Sequence, residues 1–277
     1  MSLQVWPAKC RSTKKNTNLM QALKHFLIAV QFFTRIPVVG RLAAWVGYSP
    51  DMLRASAVYF PLVGWVVAAV SGAVMWFVYA TLPALSATPW AAVLLSTAAG
   101  IFLTGAFHED GLADTADGLG TGFPPERVLL IMKDSRIGTY GALSLFLVVL
   151  TKVALLVVWV QLSLTWALCV LLMAHTVSRF FPLCVIKALR HVGDAPTSKS
   201  KPLASQISWR GLCMALLWCV PPFIGSLSWF PGLVMVGGVS FSALCAVYMA
   251  WRLRVRIQGF TGDGLGAVQQ LSEIGFY

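Results

Sequence analysis

Residues 89–122 read P-W-A-A-V-L-L-S-T-A-A-G-I-F-L-T-G-A-F-H-E-D-G-L-A-D-T-A-D-G-L-G-T-G. The first part, 89–107, is almost wholly apolar and close to the roughly 20 residues that a bilayer-spanning helix needs. The second part carries Glu109, Asp110, Asp114 and Asp117, four of the ten acids in a 277-residue chain that is 58% hydrophobic. On a helix Asp110, Asp114 and Asp117 fall at i, i+4 and i+7 and share one face. Three carboxylates on one stripe repel one another, and a cation among them relieves that repulsion. Hard oxygen donors suit Mg²⁺, with Mn²⁺ as the alternative. The competing reading is a solvated acidic helix end, and the scarcity of acids elsewhere speaks against it.

Apolar runs of the same kind recur outward from this stretch. Spans are expected over 55–82, 89–107, 139–160, 164–186, 211–227 and 232–251. Only 11% of residues are charged and the mean hydropathy is +0.76. The fold class is therefore all-α, a polytopic membrane bundle of about six transmembrane helices; the short alternating strands of a membrane barrel are absent. Residues 1–18 form a polar tail with Lys9, Arg11, Lys14 and Lys15, and 19–277 form a single integral-membrane catalytic domain. Leu19, Leu23, Phe26, Leu27 and Val30 mark one face of an N-terminal interfacial helix that Pro37 stops.

The net charge of +11 is distributed unevenly. Uncharged connections alternate with basic ones, and the tails are basic. The positive-inside rule then puts both termini in the cytoplasm, with the acidic motif, the 187–210 loop and the 252–277 tail. Charge so arranged speaks for membrane orientation, with the lipid bilayer as partner, and not for nucleic acid.

Two further groups reach the same face. Residues 126–141 read E-R-V-L-L-I-M-K-D-S-R-I-G-T-Y-G. They present Lys133, Asp134 and Arg136 just before the third span. A Lys and an Arg beside a carboxylate cluster are the usual partners of a metal-bound polyphosphate; juxtamembrane snorkelling is the competing account. Gly138 and Gly141 would let backbone N–H groups approach a ligand. Residues 261–266, T-G-D-G-L-G, present Asp263 either as a ligand or as part of a turn and helix N-cap. His108 adjoins the acids as a general base or a supporting contact. Arg35 is an interfacial anchor or a phosphate ligand. Arg179, deep in the fourth span beside His175 and Ser178, needs a partner or a wet pocket.

The strings E-D-G-L-A-D-T-A-D-G-L (109–119), K-D-S-R-I-G-T-Y-G (133–141) and G-D-G-L-G-A-V-Q-Q (262–270) closely resemble the cobalamin synthase (adenosylcobinamide-GDP ribazoletransferase) family. The likeness extends to Thr34-Arg35-Ile36-Pro37 and to the helix layout. It implies a Mg²⁺-dependent, multi-pass enzyme of the bacterial inner membrane with its active site facing the cytoplasm. That enzyme would join adenosylcobinamide-GDP to α-ribazole, or to α-ribazole 5′-phosphate, and release GMP. Metal held by Glu109, Asp110, Asp114 and Asp117 would clamp the pyrophosphate. Lys133 and Arg136 would stabilise the leaving group, and Asp134, His108 or Asp263 would accept the hydroxyl proton. Arg35, Arg179, Gly138 and Gly141 are candidates for binding substrate. A homo-oligomer stays open.

Two other readings compete. A CDP-alcohol phosphotransferase runs parallel chemistry, and Asp110-Gly111-Leu112-Ala113 begins like its signature. Asp114 then stands where that signature has Arg, and its later acids are missing. An ion-coupled transporter would keep its acids at the midplane of broken helices.

Overall fold

The computed structural model describes residues 10–192 and 206–277, with side chains from residue 18 onward. Residues 1–9 of the expected polar tail over 1–18 therefore lie outside the described residues, and residues 10–18 are not a tail but the first turns of a helix. Asp194, Lys199 and Lys201 of the 187–210 loop also lie outside the described residues.

The regular elements of the described residues are helices. In order it forms α1 (Cys10–Phe33), α2 (Gly40–Val46), α3 (Pro50–Ser56), α4 (Phe60–Thr81), α5 (Thr88–Thr104), α6 (Phe107–Gly120) and α7 (Pro125–Ile131). It continues with α8 (Thr139–Leu162), α9 (Leu164–Val177), α10 (Phe181–Ala188), α11 (Trp209–Leu217), α12 (Val220–Ser226), α13 (Gly232–Ile257) and α14 (Gly262–Phe276). The only pairing of extended backbone among the described residues is one isolated bridge, His191 to Phe260.

Four helical stretches are long and apolar enough to cross a membrane: Pro50–Thr81, Thr139–Leu162, Leu164–Ala188 and Gly232–Ile257. Their outward faces carry Trp76, Phe146, Leu233, Phe241 and Leu244, all exposed. Bare apolar surface on this scale suits lipid and not water.

The structure departs from the expected layout in three places. First, the acidic motif does not close the second span. Helix α5 stops at Gly105 (φ +67°) and Ala106 (φ +59°), and α6 leaves at 87° to it; counted as one bent span, the pair brings the total to five. Two consecutive left-handed residues make that corner, a conformation that glycine adopts freely. Second, the expected span over 211–227 is two short helices, α11 and α12. The break at Trp218–Cys219 precedes Pro221 and Pro222, which cannot donate to the preceding turn. Third, the segment after α13 is not a surface tail. Helix α14 is buried along most of its length. The Trp159 indole N–H, near the far end of α8, donates to the Tyr277 carbonyl at 3.0 Å. The last residue thus sits against the end of α8 remote from Gly138, and not beside the basic connections.

Helix α1 docks by its final turns. Ile28, Ala29, Val30 and Phe33 are buried, whereas Leu19 and Leu23 of the expected apolar face are exposed. Its exit is tied to α5 by the Arg35 N–H donating to the Leu103 carbonyl at 2.6 Å.

Candidate active site

Helices α6 and α14 make the site. They run antiparallel, with His108 and Gly111 facing Gly266, Gly111 facing Asp263, and Glu109 facing Gln270. A Cβ on Gly111 would lie 2.8 Å from the Asp263 carbonyl oxygen, and one on Gly266 would lie 3.3 Å from the Gly111 Cα. Backbones pack this closely only when both residues are small. Thr261 starts α14 by accepting from the Gly264 N–H at 3.0 Å, so Asp263 falls in the first turn. A carboxylate is favoured there by the helix dipole.

Asp110 is exposed, and Asp114 and Asp263 are half-buried. Asp114 feels the charges of Asp110, Asp263 and Asp117. This is the repulsive carboxylate face expected from the sequence, with Asp263 joined to it across the helix pair.

The other two expected metal ligands are engaged differently. Both Asp117 oxygens accept backbone N–H bonds, from Gly138 at 2.7 Å and Gly141 at 2.8 Å. Asp117 therefore anchors the start of α8. Gly138 and Gly141 spend their N–H groups on that anchor and not on a ligand. Glu109 is buried on the opposite side of α6, where its Oε1 accepts from Gln270 at 3.0 Å.

Among the described residues, no three of His, Cys, Asp and Glu are drawn together tightly enough to hold a metal ion by themselves. The donor chemistry still suits Mg²⁺. That ion is commonly held by one or two carboxylates plus substrate phosphates and waters, without an all-protein cage.

Of the three groups named as proton acceptors, two are placed unfavourably. His108 is buried beside the stacked pair of Phe33 and Phe60, its ring nearly parallel to both at 6.3 Å and 5.7 Å, away from the acid face. Asp134 is bound by Arg136, whose Nε donates at 3.0 Å and Nη2 at 2.6 Å. These bonds hold the Asp134 carboxyl down at about 2. So acidic a group is a weak proton acceptor near neutral pH. Asp263 is the one of the three on the acid face.

Lys133 and Arg136 are exposed on the loop between α7 and α8 that Asp117 ties to α6. Arg35 is also exposed. Its guanidinium packs on Gly105 at the corner where α6 begins, leaving no room for a Cβ there. Arg252 and Arg256 of α13 close the other end of α6 by donating to the carbonyls of Leu119 and Thr121.

Arg179 lies elsewhere, fully buried. Its Nη1 donates to the His175 carbonyl at 2.9 Å and is 4.0 Å from Glu273. Glu273 collects Lys152 at 2.5 Å, Gln269 at 2.6 Å, the Tyr277 hydroxyl at 3.1 Å and His175 at 3.3 Å. Sequence reasoning passed over Lys152, Gln269, Gln270 and Glu273. A signal was present: Lys152 is a lone charge inside an apolar span, and such a charge demands an acidic partner.

The family description cobalamin-5-phosphate synthase matches residues 25–277. The chain is 48% identical over 271 residues to an adenosylcobinamide-GDP ribazoletransferase of Polaromonas naphthalenivorans, covering 94% of this chain and 98% of that one. It is 46% identical to the Albidiferax ferrireducens protein of the same name, over 94% and 98% of the two chains. A Vibrio cholerae protein, again of that name, is 42% identical over 94% of each. No solved structure matches. A match over nearly the whole length, at these identities, places the chain in the cobalamin-5-phosphate synthase family.

Proposed function

We propose that the protein is an adenosylcobinamide-GDP ribazoletransferase. It joins adenosylcobinamide-GDP to α-ribazole, or to α-ribazole 5′-phosphate, and releases GMP. A ribazole hydroxyl oxygen bonds to the phosphorus that carries the cobinamide. The bond from that phosphorus to the bridging oxygen breaks, and GMP leaves with that oxygen. The observation that carries the reading is the meeting of Asp110 and Asp114 with Asp263, across two helices that touch at Gly111 and Gly266.

Asp110, Asp114 and Asp263 are the residues that would hold Mg²⁺, or Mn²⁺ in its place. When bound, the ion supplies positive charge to the pyrophosphate oxygens. Asp263 accepts the hydroxyl proton where it faces the nucleophile. Lys133 and Arg136 meet the charge that grows on the departing GMP, which requires Arg136 to exchange Asp134 for phosphate. Arg35, beside the α5–α6 corner, binds phosphate from the other end of α6. The enzyme sits in the bacterial inner membrane with this end toward the cytoplasm, a placement supported by the basic connections that flank the site.

The test is direct. Purified protein in detergent is incubated with adenosylcobinamide-GDP, α-ribazole and Mg²⁺, with and without chelator, and GMP is quantified. GMP should form, stop on chelation and resume when Mg²⁺ is restored. Undiminished turnover in metal-stripped protein would remove the metal role, and absence of GMP under every condition would remove the activity.

A further inference from the structure

Glu109 and Asp110 are neighbours on α6, so their side chains leave the helix about 100° apart. Whatever fixes Glu109 inward therefore fixes Asp110 and, one turn on, Asp114 outward. The backbones of α6 and α14 come close at Gly111 and Gly266, and Leu112 of α6 shares a buried apolar cluster with Ala267 and Val268 of α14. Apolar packing is not directional, and Gln270 adds a directional tie. Its Nε2 donates to Glu109 Oε1 at 3.0 Å and to Gln269 Oε1 at 3.0 Å. Gln269 in turn donates to the Ser178 hydroxyl at 3.0 Å and to Glu273 at 2.6 Å. Glu273 is held by Lys152 of α8 and His175 of α9. The chain of contacts thus starts on α6 and ends on two spanning helices. All its members are buried, so breaking any link strands a polar group away from water.

We propose that Glu109 and Gln270 are positioning residues: their buried contact sets the rotation of α6 against α14 and so aims Asp110 and Asp114 at Asp263. Glu109 acts here through a hydrogen-bond acceptor and not as a metal ligand. The inference rests on the reading that the outer acids are the reaction site.

The two roles predict different tolerance at Glu109. Gln keeps an acceptor oxygen for Gln270 but is a poor substitute for a ligating carboxylate. The experiment uses the full-length protein and its Glu109→Gln, Glu109→Ala, Gln270→Ala and Asp110→Asn variants. Mn²⁺ binding is followed by electron paramagnetic resonance, and kcat and KM are measured for both substrates. Glu109→Gln should stay within about threefold of wild type in kcat and Mn²⁺ affinity, while Glu109→Ala and Gln270→Ala lose about tenfold or more in both with KM for α-ribazole nearly unchanged. A protein merely loosened by the alanine changes would show lower thermal stability without this split between kcat and KM. If an alanine variant does not fold, Glu109→Gln decides alone: loss of Mn²⁺ as complete as in Asp110→Asn overturns the proposal. Asp110→Asn tests the underlying reading separately. Wild-type Mn²⁺ binding and turnover in that variant would dismiss the outer site, and this inference with it.

Discussion

Helices α6 and α14 each have two faces of opposite electrostatic character. On the outer face Asp110, Asp114 and Asp263 stand together, and among the described residues the charges that act on Asp114 are those of Asp110, Asp263 and Asp117. On the inner face Glu273 is met by Lys152, His175, Gln269 and Tyr277, and Glu109 by Gln270. Like charge gathers around Asp114 where a ligand can reach it, whereas the Glu273 carboxylate is met by cations and donors where none can. The sharpest way to break this contrast is to neutralise each face in turn. Asp110→Asn or Asp114→Asn should lower GMP release by roughly 10²–10³-fold, the usual scale for removing one electrostatic contact to a transition state. Thermal unfolding in detergent should stay at the wild-type temperature or rise, because a repulsion has been removed. A large drop in unfolding temperature would mean that the outer acids stabilise the fold, and the contrast would collapse.

The inner face should respond the other way. Lys152→Met or Glu273→Gln alone leaves a buried charge without its partner, which costs about 3–5 kcal/mol. An SDS unfolding titration of each single variant and of Lys152→Met/Glu273→Gln together measures this. The double variant should recover part of the loss relative to Glu273→Gln, since Lys152 is then no longer stranded, while Arg179 still lacks its buried acid. Equal and additive losses would show that the pair does not act as a unit.

The two faces also differ in how far the sequence reveals them. The outer acids are legible because spacing alone puts Asp110 and Asp114 on one stripe, and acids are rare in so apolar a chain. The spans around 55–82, 139–160, 164–186 and 232–251 are legible for the same compositional reason. What stayed hidden depends on contacts between distant segments. Asp117 has the same helical spacing as its neighbours, and nothing local says that Gly138 and Gly141 will consume both its oxygens. Glu109 reads as a fourth ligand until the antiparallel α14 places Gln270 against it. Helix α14 reads as a tail because its Gln, Ser and Glu residues lower its apolarity. Those polar groups are tolerated inside because Lys152, His175 and Ser178 of other helices meet them. The 87° corner is hidden at Ala106, a residue type with no preference for a left-handed conformation.

Asp117 stands between the two faces, and Gly141→Ala probes it. The new methyl would run into the Asp117 carboxylate and lie 2.9 Å from the Ala113 carbonyl oxygen. Gly138 caps α8 with no side chain of its own, so Asp117 supplies that cap from another helix. Loss of a cap costs about 1–2 kcal/mol. The unfolding midpoint should fall accordingly, and turnover should fall with it because the Lys133–Arg136 loop is no longer held to α6. Loss of turnover with an unchanged midpoint would move Asp117 back among the metal ligands.

The smallest effect is expected at the exposed pair Asp134–Arg136, which belongs to neither face until substrate arrives. Arg136 holds the Asp134 carboxyl down at about 2, below its ordinary value. A carboxyl depressed by folding contributes stability that is complete above its unfolded pKa, near 4, and is lost as pH falls through the folded value. The stability difference between wild type and Arg136→Ala should therefore be flat from about pH 5 to 8 and shrink below about pH 4. It should also be slight and fade with added salt, because the pair is open to solvent. Turnover should behave differently. Arg136→Ala should raise KM for adenosylcobinamide-GDP several-fold and leave KM for α-ribazole unchanged, since only the GDP ester carries the charge that Arg136 meets. Should both KM values rise together, Arg136 would be a clamp for its loop and nothing more, and the phosphate would have to be met by Arg35 and Lys133.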